Sequence, residues 1–410
     1  MKKIGLRIGK IRFNNIDSVV IEGIILLASF DLFRAYADIK VINAIFAVKE
    51  IVLIALFLYY LIERRTKIPS NIVYLYLISI LYLGLNIRFD TGVLLYFVFL
   101  KYFTVYYIAL SIFSICNIES EKKAIDILTY IFITYSFFSL IQGFLFPQYM
   151  VRAGRVSGFA NPSYLSLIYL YLYLYWTKNN RILLAMWFVM SGCLTMTKTF
   201  FVISPVAIIG SLFISEKKKY LLSMIGIALA TTTIIVCNNQ EMLYTFDRAY
   251  KVLIERDANE YNSFEDRNSR GIDFEKYNSG NYFCGYGTAS ASAATSFVNE
   301  KFNIQIPHAT DFENQYLNLY YSSGILGLIL VYLPIILIFI KVLISSINFN
   351  KKILFYLYLI VFLLFGLTLN VIESFTSCII SLLFLIYEER SILRCDRLPH
   401  DSMQRNRYIS

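Results

Sequence analysis

"RVSGFANPSYLSLIYLYLYLYW", residues 155–176, decides how this chain is read. A cationic Gly-Phe-Ala-Asn-Pro turn gives way to a hydrophobic, tyrosine-rich helix. The same alternation of short polar turns and long apolar runs extends over nearly all 410 residues. Hydrophobic residues make up 58% of the chain and charged residues 16%, whereas a soluble domain is about half apolar and about a quarter charged. Many of the runs approach the roughly 20 residues that cross about 30 Å of hydrocarbon. Polar/apolar alternation of the β-barrel kind is absent, so helices are the remaining way to satisfy the backbone in lipid. The expected class is an all-α polytopic membrane protein with about twelve transmembrane helices.

The expected spans are 19–36, 41–62, 72–88, 93–116, 125–146, 163–177, 181–197, 199–214, 220–237, 316–345, 352–370 and 372–387. They divide the chain into an N-terminal bundle (1–237), a large polar loop (238–315), a C-terminal bundle (316–390) and a basic tail (391–410). The formal charge of +10 does not point to nucleic acid, because the cations sit in short clusters between apolar runs. With the N-terminus cytoplasmic, the inside segments hold Arg64-Arg65-Lys67, Lys122-Lys123, Lys178 with Arg181, Lys217-Lys218-Lys219, Lys351-Lys352 and the tail arginines. That is the positive-inside pattern, with both termini inside and the large loop outside. The first residues are basic and lead into a span with no small-residue cleavage site, so no cleavable signal is expected. Six cysteines without paired spacing and two histidines do not suggest a zinc site.

A few cations fall on the outside, where this rule disfavours them: Lys40, Arg88, Arg152, Arg155 and Lys198. Interfacial snorkelling to lipid phosphates is one explanation; an anionic ligand is the other. In the large loop, "CGYGTASASAAT" (284–295) offers glycines that admit close backbone approach, although it is no nucleotide-binding pattern. Arg267 and Arg270 are spaced to share one helix face, and arginine forks suit phosphate; a solvated cluster with Glu265 and Asp266 would look the same. Where the chain re-enters the membrane, His308, Asp311, Glu313, Asn314 and Gln315 crowd one boundary. One carboxylate there could simply cap the helix, or the group could act as a general base. Within the spans, Asp31 and Arg34 are expected to pair, Lys49-Glu50 to pair with other helices, and Lys101 and Glu373 have no evident partner. Such residues would also serve a proton-coupled transporter.

Four separated elements resemble the O-antigen ligase and polymerase superfamily, multi-spanning bacterial enzymes that handle lipid-linked glycans. "RVSGFANPSY" is similar to that family's R-x-S/G-G-x-x-x-N-P-N element through Arg155, Gly158, Asn161 and Pro162, with Ser163 replacing Asn. "LTMTKTF" (194–200) is similar to its L-T-x-S-R-T element, with Lys198 at the arginine position. Arg270 followed by Gly285-Tyr286-Gly287 resembles its loop arginine and G-x-G. "ENQYLNLYYSSGILG" (313–327) resembles H-N-x-Y-L followed by G-I-x-G, with Glu313 at the histidine position. The resemblance covers roughly residues 125–345 in order.

The resemblance implies a GT-C-like membrane glycosyltransferase of the bacterial cytoplasmic membrane, with its active site at the external face. It would move glycan from undecaprenyl pyrophosphate to a sugar hydroxyl of another lipid-linked repeat unit, building O-antigen or capsular polysaccharide. On this reading Glu313, with His308 second, acts as base. Arg270 and Arg155, with Lys198 and Arg267, hold the pyrophosphate. Asn161, Asn314 and Tyr316 line the substrate site. No metal or other cofactor is expected; a flippase and a chain-length regulator are the expected partners. Glu313 in place of histidine tilts the choice from ligase to polymerase, and Lys198 keeps the charge but loses the bidentate fork. A flippase or transporter of lipid-linked oligosaccharide is the rival from another class, although no internal repeat of the transporter kind is visible.

Overall fold

The computed structural model describes residues 16–34, 48–64, 69–85, 93–146, 155–158, 160–251, 273, 275–277, 282–286, 291–305 and 314–407. These residues form helices and turns, with no strand among them. In chain order the helices are α1 (Ile16–Arg34), α2 (Lys49–Arg64), α3 (Ser70–Leu85), α4 (Val93–Ile115), α5 (Ile118–Leu145), α6 (Pro162–Lys178) and α7 (Ile182–Leu194). They continue with α8 (Lys198–Ile214), α9 (Lys218–Cys237), α10 (Gln240–Tyr250), α11 (Ala291–Phe302), α12 (Gln315–Ile344), α13 (Phe349–Gly366) and α14 (Phe375–Arg407). Each span expected from the sequence overlaps one of these helices. Four of them, α5, α9, α12 and α13, are long and apolar enough to cross a membrane. The protein is thus of the all-α membrane class. Two helices, α10 and α11, lie in the stretch read from sequence as a polar loop. The helix α14 runs unbroken through residue 390 into what was read as a separate tail.

Asparagine opens five of these helices. Asn117, Asn161, Asn239, Asn314 and Asn348 each accept a hydrogen bond from a first-turn backbone N–H. This answers the donors that a helix start leaves unpaired, and the penalty for leaving them unpaired rises as water thins out. At α6, Pro162 follows the cap, in the one helical turn where a missing N–H costs nothing.

The centre of the bundle is α14, which packs against α1, α4, α5, α6, α12 and α13. Beside it, α6 is buried on all sides from Leu165 to Tyr175. Its leucine–tyrosine alternation has a strand-like period, but every position is apolar enough to be buried, and an all-round apolar helix belongs in a core. Among its tyrosines, Tyr173 pairs with Ser211 Oγ at 2.6 Å and Tyr171 stacks on Phe384 at 5.3 Å between centroids. The outward faces carry bare hydrophobics such as Phe30, Ile62, Leu81, Phe138, Ile209 and Ile344. In a soluble protein such exposure would be a liability; on helices of this kind it is a surface for lipid.

Charges inside the helical region are paired. Lys49 of α2 binds Asp31 of α1 and lies 5.2 Å from the Phe375 ring centre. Glu50 takes Lys101 of α4 at 3.2 Å. Lys49 thus engages Asp31 across helices; the expected Asp31–Arg34 pair involves the Arg34 side chain, which lies outside the described residues. Lys101, which had no evident partner in the sequence, is answered from a helix about fifty residues away. At one end of the bundle, Lys178 holds buried Glu388 at 2.6 Å, Arg390 holds buried Glu121 at 2.7 Å, and Lys341 reaches Glu389 at 3.5 Å. The C-terminal ends of α6 and α12, the start of α5 and the middle of α14 therefore meet at one level.

Candidate functional site

The opposite end of the bundle gathers the sequence elements singled out above. Arg155, half-buried, precedes a turn whose Gly158 has φ +55°. The Tyr135 hydroxyl braces this turn, donating to Ser157 O at 2.7 Å and accepting from Ala160 N at 2.8 Å. A Cβ on Gly158 would stand 2.7 Å from that hydroxyl and 2.8 Å from Ser139 Oγ, so both the conformation and the space demand glycine. Asn161 then caps α6 through a hydrogen bond from Ser163 N at 3.0 Å.

This turn is fastened to the connection between α7 and α8. Val156 N donates to Leu194 O at 2.9 Å, and Thr197 Oγ1 donates to Ser166 Oγ at 3.1 Å. Lys198 is the first residue of α8 and is half-buried. A cation at a helix N-terminus opposes the macrodipole. The preceding Thr197 makes no capping hydrogen bond to the first turn. Together these leave an end suited to a negatively charged group. The elements containing Arg155 and Lys198, about forty residues apart in sequence, are thus neighbours.

From α8 the contacts lead to the connection between α13 and α14. Thr199 Oγ1 donates to Thr368 Oγ1 at 2.9 Å. Five residues on, Glu373 accepts a hydrogen bond of 2.6 Å from Asn318 Nδ2 of α12. Next to it, Ile372 N donates to Gln315 Oε1 at 2.8 Å, while Gln315 Nε2 bonds the Tyr332 hydroxyl. Asn314 caps α12, accepting from Tyr316 N and Leu317 N. Tyr316 stacks on Tyr332 at 5.5 Å and donates to Leu363 O at 2.7 Å. Its hydroxyl is therefore used in packing α12 on α13.

Farther along, α12 is broken at Gly324, with φ 66° and ψ −168°. The break is filled by the "YFCGY" turn, residues 282–286. Ile325 N donates to Tyr282 O at 2.9 Å, Leu326 N to Phe283 O at 3.2 Å, and Tyr286 N to Tyr321 O at 2.8 Å. Tyr82 of α3 adds a hydroxyl donated to Ser323 O. Contact is so close that a Cβ on Gly285 would lie 2.5 Å from Gly324 N, and one on Gly324 would lie 2.2 Å from Phe283 O. Glycine at both positions is what lets the two backbones meet.

The structure therefore brings together the segments bearing Arg155, Asn161, Lys198, Gly285, Asn314 and Tyr316. Glu313, His308, Arg267, Arg270 and Arg152 lie outside the described residues. Sequence reasoning passed over Asn318 and Ser322, which are fully buried on the same helix as Gln315. Their spacing of i, i+3 and i+7 puts a polar stripe on one face of an otherwise apolar helix, and that stripe is a signal the sequence does contain. Among the described residues no group of three or more His, Cys, Asp and Glu is placed to hold a metal ion.

Electrostatics separate the two ends. At the ion-paired end, burial pushes the Glu388 carboxyl up from the ordinary carboxylate range and Lys178 pulls it back down. Glu389 is raised by the same cause and opposed by Lys341. The motif-bearing end relies on amides, hydroxyls, helix starts and a few half-buried charges.

Neither protein-family models nor curated proteins match the chain.

Proposed function

We propose that this protein is a multi-pass glycosyltransferase of the bacterial cytoplasmic membrane, a polysaccharide polymerase of the O-antigen ligase and polymerase superfamily. The observation that carries the reading is a series of contacts among the described parts of the family-like elements. It runs from Val156–Leu194 through Thr199–Thr368 and Asn318–Glu373 to the seating of residues 282–286 in the Gly324 break. Helix packing joins these segments, and a common substrate would draw on the neighbourhood they share. On this reading the chain crosses the membrane about twelve times in a GT-C-like arrangement. Both termini are cytoplasmic, the ion-paired end faces the cytoplasm, and the motif-bearing end faces outward.

The chemistry follows from the donor. A glycan leaves undecaprenyl pyrophosphate for a sugar hydroxyl of a second lipid-linked repeat unit, and negative charge grows on the pyrophosphate as the bond breaks. Cations and helix N-termini fixed at that position stabilise the transition state more than the ground state. Arg155 and Lys198 fill that role here, with Arg270 and Arg267 as further candidates and Glu313 or His308 as acceptors of the hydroxyl proton.

The test is reconstitution in liposomes with a synthetic lipid-linked repeat unit. A ladder of glycan lengths on the lipid is expected. A single product on a lipid A core acceptor would instead indicate the ligase. The broken helix α12 also suits a transporter, since discontinuous helices build many transport sites. Movement of the labelled lipid between leaflets without any ladder would favour that reading.

A further inference from the structure

We propose that α10 (Gln240–Tyr250) is an interfacial helix, seated in the headgroup–acyl boundary of the membrane leaflet at the motif-bearing end. There it holds the connections that carry Arg155 and Lys198 at the depth of the lipid phosphates. The inference concerns where the protein meets lipid and does not depend on the polymerase reading.

Four observations carry it. First, α10 divides into two faces. Met242, Leu243, Phe246 and Tyr250 follow the i, i+1, i+4, i+8 spacing of one apolar side, while Gln240, Glu241, Tyr244 and Arg248 occupy the other. A short helix built this way lies in the plane of a membrane surface rather than across it. Second, the protein itself uses only part of the apolar side. Met242 is fully buried with Val156, Leu194, Met196 and Val236, and Phe246 meets the Phe201 ring edge-on at 6.1 Å. Leu243, Tyr250 and the rest of Phe246 stay bare. Third, both anchors sit at one level. Phe201, in the first turn of α8, packs on the Met242 cluster as well as on Phe246, so α10 stays at this end of the bundle. Fourth, α10 begins two residues beyond α9, with Asn239 as its cap. The α9 helix is long and apolar enough to cross a membrane and turns only a narrow stripe, from Leu221 to Val236, towards the bundle. Its other side, with Leu229 and Ile234, is bare. The apolar face of α10 thus starts where that lipid-facing surface ends.

Area and charge identify lipid as the occupant. The bare parts of Leu243, Phe246 and Tyr250 amount to roughly 250 Å², well short of the about 800 Å² per partner of a stable protein interface. The polar residues are balanced: Glu241 and Asp247 stand against Arg248 and Lys251, and Lys251 pairs with Asp247 at 2.9 Å. Such a balance gives no pull towards anionic headgroups, so apolar contact supplies the attraction. Tyr250, with an apolar ring and a polar tip, suits this boundary. The consequence for the site is direct. Met242 touches Val156, next to Arg155, and Met196, two residues before Lys198. The depth of α10 therefore sets the height of both cations relative to the lipid phosphates.

The test uses the full-length protein in liposomes of phosphatidylcholine brominated high on the acyl chains. Leu243→Trp, Tyr250→Trp and Tyr244→Trp are read as fluorescence added to that of the two native tryptophans. Quenching at positions 243 and 250 should exceed that at 244 by about threefold or more, and should persist when anionic lipid is added. Equal quenching at all three positions, or none at 243 and 250, overturns the proposal. Quenching that disappears as the protein-to-lipid ratio rises would place a second copy on this face and also overturn it. If the tryptophan variants do not fold, the wild-type protein decides. In liposomes a water-confined tyrosine-modifying reagent should attack Tyr244 about tenfold faster than Tyr250, although the protein alone leaves them 66% and 44% exposed. Comparable rates overturn the proposal. Absence of a glycan ladder from the wild-type protein would sink the polymerase reading and leave this one standing.

Discussion

The two ends of the helical bundle solve the same problem in opposite ways. At one end, buried carboxylates are matched one to one with long cations: Lys178 with Glu388, Arg390 with Glu121, Lys341 with Glu389. At the other, glycines admit close backbone contact, and amides and hydroxyls tie the helices, as Asn318 ties Glu373 and Thr199 ties Thr368. The first arrangement is closed and locks helices together. The second is open-ended, with Arg155, Lys198 and Glu373 held on short connections between helices. Substitutions should therefore separate cleanly, with stability lost at the first end and activity lost at the second.

The sharpest break in this contrast is Arg155→Ala, for which ladder formation in liposomes should slow by about 100- to 1000-fold, as for loss of one donor to a developing anion. Arg155→Lys should retain part of the rate. Unchanged product lengths in Arg155→Ala would remove the clamp and erase the contrast.

Next in size is Lys178→Met, which strands Glu388 in the core. We expect it to cost about 3 kcal/mol, the lower end for a broken buried pair because Lys178 is itself partly exposed. Thermal unfolding in detergent reads it, and Glu388→Gln in the same background should restore most of the loss. Its pH dependence has a definite sign. A carboxyl raised in the folded state binds its proton more tightly there than when unfolded. Its stabilisation is full below the ordinary carboxylate range and fades as pH rises through the folded value. Without Lys178 that fading is larger, so the Tm gap between variant and wild type should widen from acidic to neutral pH. A gap that stays flat would show that the Glu388 charge is not what Lys178 compensates.

A smaller effect is expected from Gly158→Ala, about 2 kcal/mol from the left-handed backbone together with crowding by Tyr135. It should slow the ladder as well, because the same turn aims Arg155. Loss of stability with full activity would detach the turn from the site. Smallest is Asn161→Ala, about 1 kcal/mol for a lost helix cap, measured as a modest fall in Tm. A larger fall, with activity lost too, would mean that the Asn161 side chain also touches substrate.

Much of the fold is legible in the sequence. Apolar run length places the helices, because crossing hydrocarbon demands a minimum length and helical backbone pairing. The Asn-Pro pair at 161–162 marks a helix start whatever surrounds it. The candidate site is legible only in part. Lys101 shows no evident partner along the chain, yet Glu50 of another helix is the one found, since packing decides which charges share a desolvated gap. Gly324 follows Ser322-Ser323 in a helix that continues on both sides, and nothing local demands a positive φ there. Its break is matched by Tyr282 and Phe283, whose carbonyls replace the lost helical ones from elsewhere in the chain.

By itself, then, the sequence determined the all-α membrane class and the apolar runs in which helices lie, both properties of contiguous chain. Tertiary structure alone decided that Arg155 and Lys198 would lie on neighbouring connections, that Glu373 would meet Asn318 fifty-five residues away, and that two glycines would join at the α12 break. Hydrophobicity and capping act over a few residues and can be read along a line. Contact between helices depends on which faces meet, and that is settled by how the whole bundle packs.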